Sequence, residues 1–368
     1  MTLVTEVLNT PGEFEKMEEV WARLATGNAG TIQGHDATSS AAWFSSLQSA
    51  FPATQKARMV VVREAADIVA LLPVVAEPGR FGCTRLFVPT VVFGGRNGFL
   101  MSQARTDIFN ALLRGLEKAF GRWQSLHFWV VSGSESDALF TQACAGQGYR
   151  QVSGPEVRTP YFPLLDSPET FWTQMAKGLR QSIKSASSKL NALGLVQSQD
   201  IRAENSEASL NAILAIERGS WKHVAGTAIS CHADQERFYR ALFPRALKAG
   251  LLYGKILYLN ATPIAHSFGL VSSGTFISLK HSQLSEFERL SPSHLLSMGM
   301  VSDLRAQGVV TYDFMGGCES HKLRWSESTG FYARRPVWLY NSSWCGRVAF
   351  AVHRSKLAVL NMMGRLGQ

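Results

Sequence analysis

The chain has no Cys-x-x-Cys pair, and its five cysteines (Cys83, Cys144, Cys231, Cys318 and Cys345) are widely spaced and odd in number. That pattern argues against a zinc knuckle and against a disulfide framework, and it fits reduced thiols in a cytoplasmic protein. GxSxG, HExxH, the P-loop and GxGxxG are missing, as is any carboxylate–histidine cluster at metal-ligand spacing. Nucleophile-elbow hydrolases, zinc proteases, P-loop phosphotransferases and Rossmann dehydrogenases are therefore poor readings, and no metal is expected. No run of about 18 apolar residues occurs, so no segment is expected to span a membrane. The opening MTLVTEVLNTPGEFEKMEEV is acidic and lacks an apolar centre, unlike a signal peptide.

Positive charge, in contrast, is in excess: 37 Lys+Arg against 28 Asp+Glu, a net charge of +9. Such an excess attracts polyanions (nucleic acid, an anionic membrane surface, a phosphorylated cofactor), although a soluble protein can also simply be basic. With 46% hydrophobic and 18% charged residues the composition is that of an ordinary globular chain. At roughly 150 residues per domain, the length suggests two domains.

The first half reads as mixed α/β. Lys56–Glu77 has two apolar runs around a polar turn at Glu64–Asp67, which predicts a hairpin. Helices are expected at Thr106–Phe120, closed by Gly121, and at Glu135–Gln147, stopped by Gly148. SLHFWVV (Ser125–Val131) lies between them as a buried strand. The second half opens on a helix with Asp166 as cap, Pro168 at its first position and Glu169 three residues after the cap. Its pattern runs to Leu193, with Gly178 as a break or kink and Gly194 as the stop.

Two further helices, Glu207–Gly219 and Asp234–Ala249, precede the strand-like runs LLYGKILYL, PIAHSFGLV and TFISLKHS. Their connections, Asn260–Thr262 and Ser272–Gly274, have hairpin chemistry. A helix over Ser291–Gly308, with Ser291 as cap and Pro292 at its first position, leads into the strand Val309–Met315. A last strand includes Pro336–Tyr340. No repeat is visible, yet both halves alternate strands and helices in the same way. The fold class expected is α/β (α+β), with two related units, each a mixed, mostly antiparallel sheet flanked by helices.

GSWK with GT following (Gly219–Lys222, Gly226–Thr227), TPIAHSFGL (Thr262–Leu270), RLSPSHLL (Arg289–Leu296) and YDFMGGCESHKLRW occur in that order. As a set they resemble the cellulose-biosynthesis-associated acetyltransferases, a branch of the GNAT superfamily akin to the Fem aminoacyltransferases. The resemblance is strongest from Ser167 to Tyr340. It implies a GNAT-like unit over residues 1–163, a GNAT-like acyltransferase unit over 164–345 and a basic amphipathic C-terminal helix over 346–368. It also implies an acyl-CoA donor and a small-molecule amine acceptor.

By that resemblance the donor's pantetheine arm runs along TFISLKHS, past Leu279 and Lys280. Its pyrophosphate then meets the next helix start at Ser291, Ser293, His294 and Leu295. The same helix start suits an anion on elementary grounds, because its first backbone N–H groups have no helical partner. Val309–Met315 would splay from TFISLKHS and make the acyl slot. Gly316 and Gly317 allow backbone to approach a ligand closely. Lys322 matches the lysine of the Fem-type FK motif and would stabilise a tetrahedral oxyanion, unless it and Arg324 are a solvated pair. Asp313 stands near the strand's C-terminal end, either in the chemistry or as a structural carboxylate holding the loop.

His281 and His266 are the candidate general bases, since imidazole titrates near neutrality. Alternation puts Ile264, His266, Phe268 and Leu270 on one strand face, so His266 also reads as a core histidine. His281, at a strand end beside Lys280, is better placed; His321 and His294 lie near the same motifs. The catalytic set is thus Asp313, His281 and Lys322. Trp221, Lys222, His266, Gly316, Gly317 and Arg324 make up the acceptor side.

Helical spacing puts Lys177, Arg180, Lys184 and Ser188 on one face of Lys177–Leu193 and Leu179, Ile183, Ala186 and Leu190 on the buried one. Gln181, Ser185, Ser187 and Ser188 dilute a row that is richer in arginine in the resembled family, which weighs against extended tRNA contact. The expected activity is an N-acyltransferase in which an amine attacks the thioester of acyl-CoA directly. Aminoacyl-tRNA as donor is the alternative, and a non-catalytic partner in exopolysaccharide assembly is a third reading. The tail carries Val348, Val352, His353, Lys356, Leu360 and Arg365 at helical spacing; it is expected to dock on its own domain, with contact with the inner face of a membrane as the alternative.

Overall fold

The computed structural model describes residues 2–26, 37–51, 56–79, 82–89, 99–121, 123–164 and 167–366. They form two compact units, one of Met1–Ala41, Pro52–Val157 and Ala333–Gln368, the other of Ala42–Phe51 and Arg158–Tyr332. The strands are β1 (Leu3–Leu8), β2 (Arg58–Glu64), β3 (Asp67–Pro78), β4 (Thr84–Phe87), β5 (Leu100–Met101), β6 (Trp123–Val131) and β7 (Arg150–Ser153). They continue with β8 (Val157–Pro163), β9 (Val196–Asp200), β10 (Leu252–Leu259), β11 (Thr262–Ser272), β12 (Thr275–Gln283), β13 (Thr311–Asp313) and β14 (Gly330–Tyr340). The helices are α1 (Pro11–Glu15), α2 (Glu18–Thr26), α3 (Ala41–Ala50), α4 (Thr106–Phe120), α5 (Glu135–Gly146) and α6 (Pro168–Gln174). After them come α7 (Lys177–Leu193), α8 (Ser206–Arg218), α9 (Trp221–Val224), α10 (Ala233–Lys248), α11 (Pro292–Ala306) and α12 (Trp344–Leu366).

In the first unit β1 to β4 follow one another antiparallel, α4 crosses, and β6 returns parallel to β4. β14 pairs antiparallel with β6, and β7 with β14. Helices α4 and α5 press Ile108, Phe109, Leu112 and Phe140 onto Val60, Leu72, Phe128 and Leu339. On α12, Phe350 and His353 meet the rings of Tyr340 and Trp338. Cys83 and Cys345 are joined in a disulfide across 262 residues, which corrects the expectation of five reduced thiols. Spacing carried no sign of it, because the pairing depends on the tertiary positions of β4 and α12. Cys144, Cys231 and Cys318 are free.

The second unit follows the same plan. β9 to β12 are antiparallel, α11 crosses, β13 returns parallel to β12, and β8 closes antiparallel to β13. Both hairpin turns take left-handed φ at two residues, Asn260–Ala261 and Ser273–Gly274, which matches the twist of the strands they join. On one face α6, α7 and α11 bury Phe171, Leu179, Ile183 and Met300 with Phe162, Phe276 and Tyr312. On the other, Tyr239 and Phe243 of α10 meet Phe268 of β11 edge to face. α3 adds Trp43 against Phe238. Each unit is thus a mixed, mostly antiparallel sheet with flanking helices, the class expected. Ala333–Gln368 lie in the first unit and Ala42–Phe51 in the second, so neither unit is one unbroken stretch of chain.

Local differences have identifiable causes. Asp166 lies outside the described residues, and Ser167 caps α6 by accepting from the Thr170 N–H at 3.1 Å. The helix expected to reach Leu193 is broken at Met175–Ala176, while Gly178 sits in the first turn of α7. There the Glu327 N–H donates to the Gln174 carbonyl and the Ala176 N–H to the Arg324 carbonyl. Tertiary hydrogen bonds have replaced helical ones. Leu179, Ile183, Ala186 and Leu190 form the buried stripe of α7 as expected. Ser291 adopts a left-handed conformation and its side chain does not cap α11. Among the described residues no helix is long and apolar enough to cross a membrane.

Arg335 of β14 donates to both carboxylate oxygens of Asp137, at 2.7 and 2.6 Å, and to Ser132 Oγ at 3.0 Å. Truncating the guanidinium leaves a largely buried carboxylate alone, so Arg335→Ala is expected to lower stability by about 3 kcal/mol. Urea unfolding measures this; a loss below about 0.5 kcal/mol would class the pair with ordinary surface bridges.

Candidate active site

β12 and β13 pair at three positions: Thr275 with Thr311, Phe276 with Tyr312, and Ile277 with Asp313. β12 then continues to Gln283 while β13 stops. Two features separate them. Against β11 the register of β12 slips between Phe268 and Gly269, leaving Leu279 as an extra residue, a bulge that bends the strand. Glycine is required at 269, where a Cβ would lie 2.1 Å from the Ile277 carbonyl oxygen. On the other side the chain turns away, with φ of 46° at Met315 and 87° at Gly316.

A left-handed φ on a residue with a side chain costs on the order of 1–3 kcal/mol and needs support from its surroundings. Here the Met315 N–H donates to Asp313 Oδ1 at 2.7 Å, and its carbonyl accepts from Lys322 Nζ at 3.0 Å. Lys322 also donates to the Gly317 carbonyl at 2.8 Å and pairs with Glu319 at 2.5 Å. The Tyr332 hydroxyl donates to the same Asp313 oxygen, and Thr159 Oγ1 donates to the Gly316 carbonyl. Asp313 is 0% and Lys322 8% exposed. The structure therefore places both as a clamp on the loop.

Lys280 and His281 stand on the part of β12 beyond β13. Lys280 is 8% exposed and donates to the Thr227 carbonyl at 3.3 Å. Burial pushes its pKa down to about 8, against the opposing pull of Glu217. Lys222 Nζ donates to the His281 carbonyl at 2.5 Å and reaches Glu217 Oε1 at 3.4 Å; burial lowers its pKa too. Glu217 is fully buried and also accepts from the Ile229 N–H at 2.6 Å.

His266 Nε2 lies 3.8 Å from Glu217 Oε1, and burial holds this imidazole neutral, with Lys222 and His281 adding to the effect. His281 is exposed, and its ring lies 6.1 Å from the ring of His321. The atoms packed around it, then Lys222, His321 and Lys322, lower its pKa, and its exposure to water limits how far.

At the head of α11, the Ser293 N–H and hydroxyl both donate to Gln283 Oε1, at 3.1 and 2.8 Å. The His294 N–H donates to the Ser291 carbonyl. Gln283, the last residue of β12, thus supplies the cap expected from Ser291 and occupies a donor that an anion would use. His294 Nδ1 lies 3.4 Å from Ser182 Oγ of α7. Leu279 and Leu295 are half-buried, and Arg324 is half-buried with its carbonyl on Ala176.

Lys222, His266, Lys280, His281 and Lys322 share one electrostatic neighbourhood with His294 and His321, and Gly316 and Gly317 form the clamped loop beside Lys322. Trp221 stays 56% exposed on α9, and His266 has no surface open to a ligand. Sequence reasoning passed over Glu217, Tyr332 and Gln283. Glu217 had a signal: it is an acid on the apolar stripe of α8 that carries Leu210, Ile213 and Leu214. Tyr332 and Gln283 had none, since only their tertiary partners distinguish them. Among the described residues no group of three or more His, Cys, Asp or Glu is placed to hold a metal ion.

Residues 177–323 match the family model described as "Acetyltransferase (GNAT) domain", a stretch from the start of α7 to the clamped loop. Among solved structures the chain is similar to FemX, with TM-score 0.61 and 12% identity over 89% of this chain and 96% of that one. It is similar to L-PGS from Bacillus licheniformis, with TM-score 0.54 and 14% identity over 97% of each chain. The third likeness is to the tandem GNAT protein from the clavulanic acid biosynthesis pathway, with TM-score 0.53 and 13% identity over 92% and 99%. No curated protein matches in sequence. At these identities the likeness is one of fold, the GNAT fold that the family model also matches over residues 177–323.

Two measurements probe the site without substrate. Lys322→Ala leaves the Met315 and Gly317 carbonyls without their donor and is expected to lower stability by about 2 kcal/mol in urea unfolding. No loss would remove Lys322 from the clamp. Lys280 releases its proton near pH 8 in the folded chain, against an ordinary value of 10.5. Between these the unfolded chain holds more protons, so the wild type gains stability as pH rises through that window. The Tm of the wild type minus that of Lys280→Met should therefore increase from about pH 8 to about pH 10. A pH-independent difference would show that Lys280 does not titrate there.

Proposed function

We propose that the second unit is an N-acyltransferase of the cellulose-biosynthesis-associated type, which moves an acyl group from acyl-CoA to a small-molecule amine. The divergence of β12 from β13 carries this reading. Beyond Ile277, β12 has no β13 residue beside it, and an extended donor arm rich in amides can meet such an edge as another strand would. The bulge at Leu279 and the turn at Met315–Gly316 keep the gap open for a thioester.

The acceptor nitrogen attacks the thioester carbonyl carbon, an N–C bond forms, the C–S bond breaks, and the thiol leaves with a proton. His281, neutral and open to solvent, takes the proton of the attacking amine. The neighbouring cations lower its pKa, so its contribution comes from position more than from proton affinity. Lys280, buried on the other face of β12 and held on the Thr227 carbonyl, adds positive charge to the surroundings of the site. Asp313 and Lys322 are positioning residues that hold the loop, and Glu217 keeps Lys222 on the His281 carbonyl. Acyl-CoA is a cytoplasmic donor; the Cys83–Cys345 bond is the feature that fits a reducing compartment least.

One observation favours aminoacyl-tRNA as a second donor reading. Lys177, Lys184 and Lys189 are exposed on α7, close to Arg324 at Gly178 and to His294 at Ser182. Calorimetry with acetyl-CoA and longer acyl-CoAs is expected to show binding of about micromolar to millimolar strength. If no acyl-CoA binds while tRNA binds with an affinity that falls steeply with salt, the donor is tRNA. If neither binds, the transferase reading fails. With an accepted amine, His281→Ala should lower kcat about ten- to a hundredfold with little change in KM. Unchanged turnover would clear His281 of a role in proton transfer.

A further inference from the structure

The first unit contains a groove of about 590 Å³ where α12 faces β6 and β14. None of the residues placed in acyl transfer lines it. Its size suits one small organic molecule. Arg85, His353 and Lys356 line it; Arg85 is bridged to Glu77 at 3.1 Å and His353 Nδ1 lies 2.5 Å from the Tyr340 hydroxyl, so the exposed Lys356 supplies the positive charge. Trp338 of β14 and Val348 and Val352 of α12 give it an apolar wall.

Gln124 supplies the polar element. The residue is 5% exposed, and its Oε1 lines up with no hydrogen-bond donor. A buried amide oxygen left unpaired costs about 1–3 kcal/mol, which an N–H or O–H brought by a ligand would relieve. The chain is shaped around this side chain: a Cβ at Gly79 would lie 2.9 Å from Gln124 Nε2 and 2.7 Å from the Cys83 carbonyl oxygen. Cys345, also in the lining, is bonded to Cys83, so the start of α12 is fixed at the groove.

We infer that this groove is a second binding site, for a small organic anion that carries an N–H or O–H donor and an apolar body. The anionic group lies towards Lys356, the donor meets Gln124 Oε1 once the covered amide turns into the groove, and the apolar body rests on Trp338, Val348 and Val352. N-acylated amino acids combine these features, with a carboxylate, an amide N–H and an alkyl chain. The inference stands on the first unit alone and holds whatever donor the second unit uses.

The test is calorimetric titration of the full chain with N-octanoylglycine, with octylamine and octanamide as the cationic and neutral comparisons. Saturable binding of N-octanoylglycine is expected, at least about tenfold tighter than either comparison. Lys356 is exposed, so Lys356→Glu should leave folding intact and weaken binding about tenfold through charge reversal. Gln124→Met, which keeps the volume and removes the acceptor, should weaken it similarly if circular dichroism shows it folded. Absence of binding, equal binding of octylamine, or undiminished affinity in Lys356→Glu would each overturn the assignment.

Discussion

Met315 sits at φ 46° with both of its polar backbone groups held, the N–H by Asp313 and the carbonyl by Lys322. Released from that conformation, the chain after Asp313 would have every reason to continue as a strand beside β12, because unpaired backbone groups in a sheet are costly. The ladder would close, and the divergence of β12 from β13 would be lost. Tyr332 and Thr159 extend the clamp to β14 and β8, so the turn is fixed from three sides. The acid, two glycines and lysine crowded into so short a stretch have a common purpose: they stop a parallel strand after three pairs and hold its end open. Asp313 and Lys322 are both committed to this, which is why their burial is so complete.

The second constraint is electrostatic. Around the freed part of β12 the protein gathers Lys222, Lys280, His266 and His281, with Glu217 as the buried carboxylate among them. Low dielectric drives the buried His266 to its neutral form and brings the Lys280 ammonium down to about 8, while the neighbouring cations lower the pKa of the exposed His281. A region built in this way attracts anions and offers neutral nitrogen close to neutral pH. Both properties suit a phosphorylated acyl donor and an amine that must lose a proton.

Much of the architecture was legible because it is written in short-range patterns. α4 and α8, the β10–β11–β12 meander and the buried stripe of α7 follow from periodicity, and the two hairpin turns from residues that tolerate left-handed φ. At the site, Lys280, His281, Asp313 and Lys322 stood out through their places at strand ends and in the glycine-containing loop. Their duties did not. Whether a buried lysine faces a substrate or braces two carbonyls depends on where Met315 and Gly317 come to lie, and no spacing along the chain encodes that. Gln283 capping α11 is a similar case: a polar residue ending a strand becomes a helix cap only because the bulge at Leu279 aims it there.

By itself the sequence determined many of the elements, their alternation into two α/β units, the turn chemistry and the candidate polar residues, since each depends on interactions within a few residues; β1, α1 to α3, β4 and β7 to β9 were not legible in it. Tertiary structure alone decided the break at Met175–Ala176, the return of β14 and α12 to the first unit, the Cys83–Cys345 bond and the convergence of Lys222, His266 and Ile229 on Glu217. Those features join residues far apart in the chain. Local propensity is silent about them, because their free energy comes from burial and from hydrogen bonds that exist only once the layers have packed.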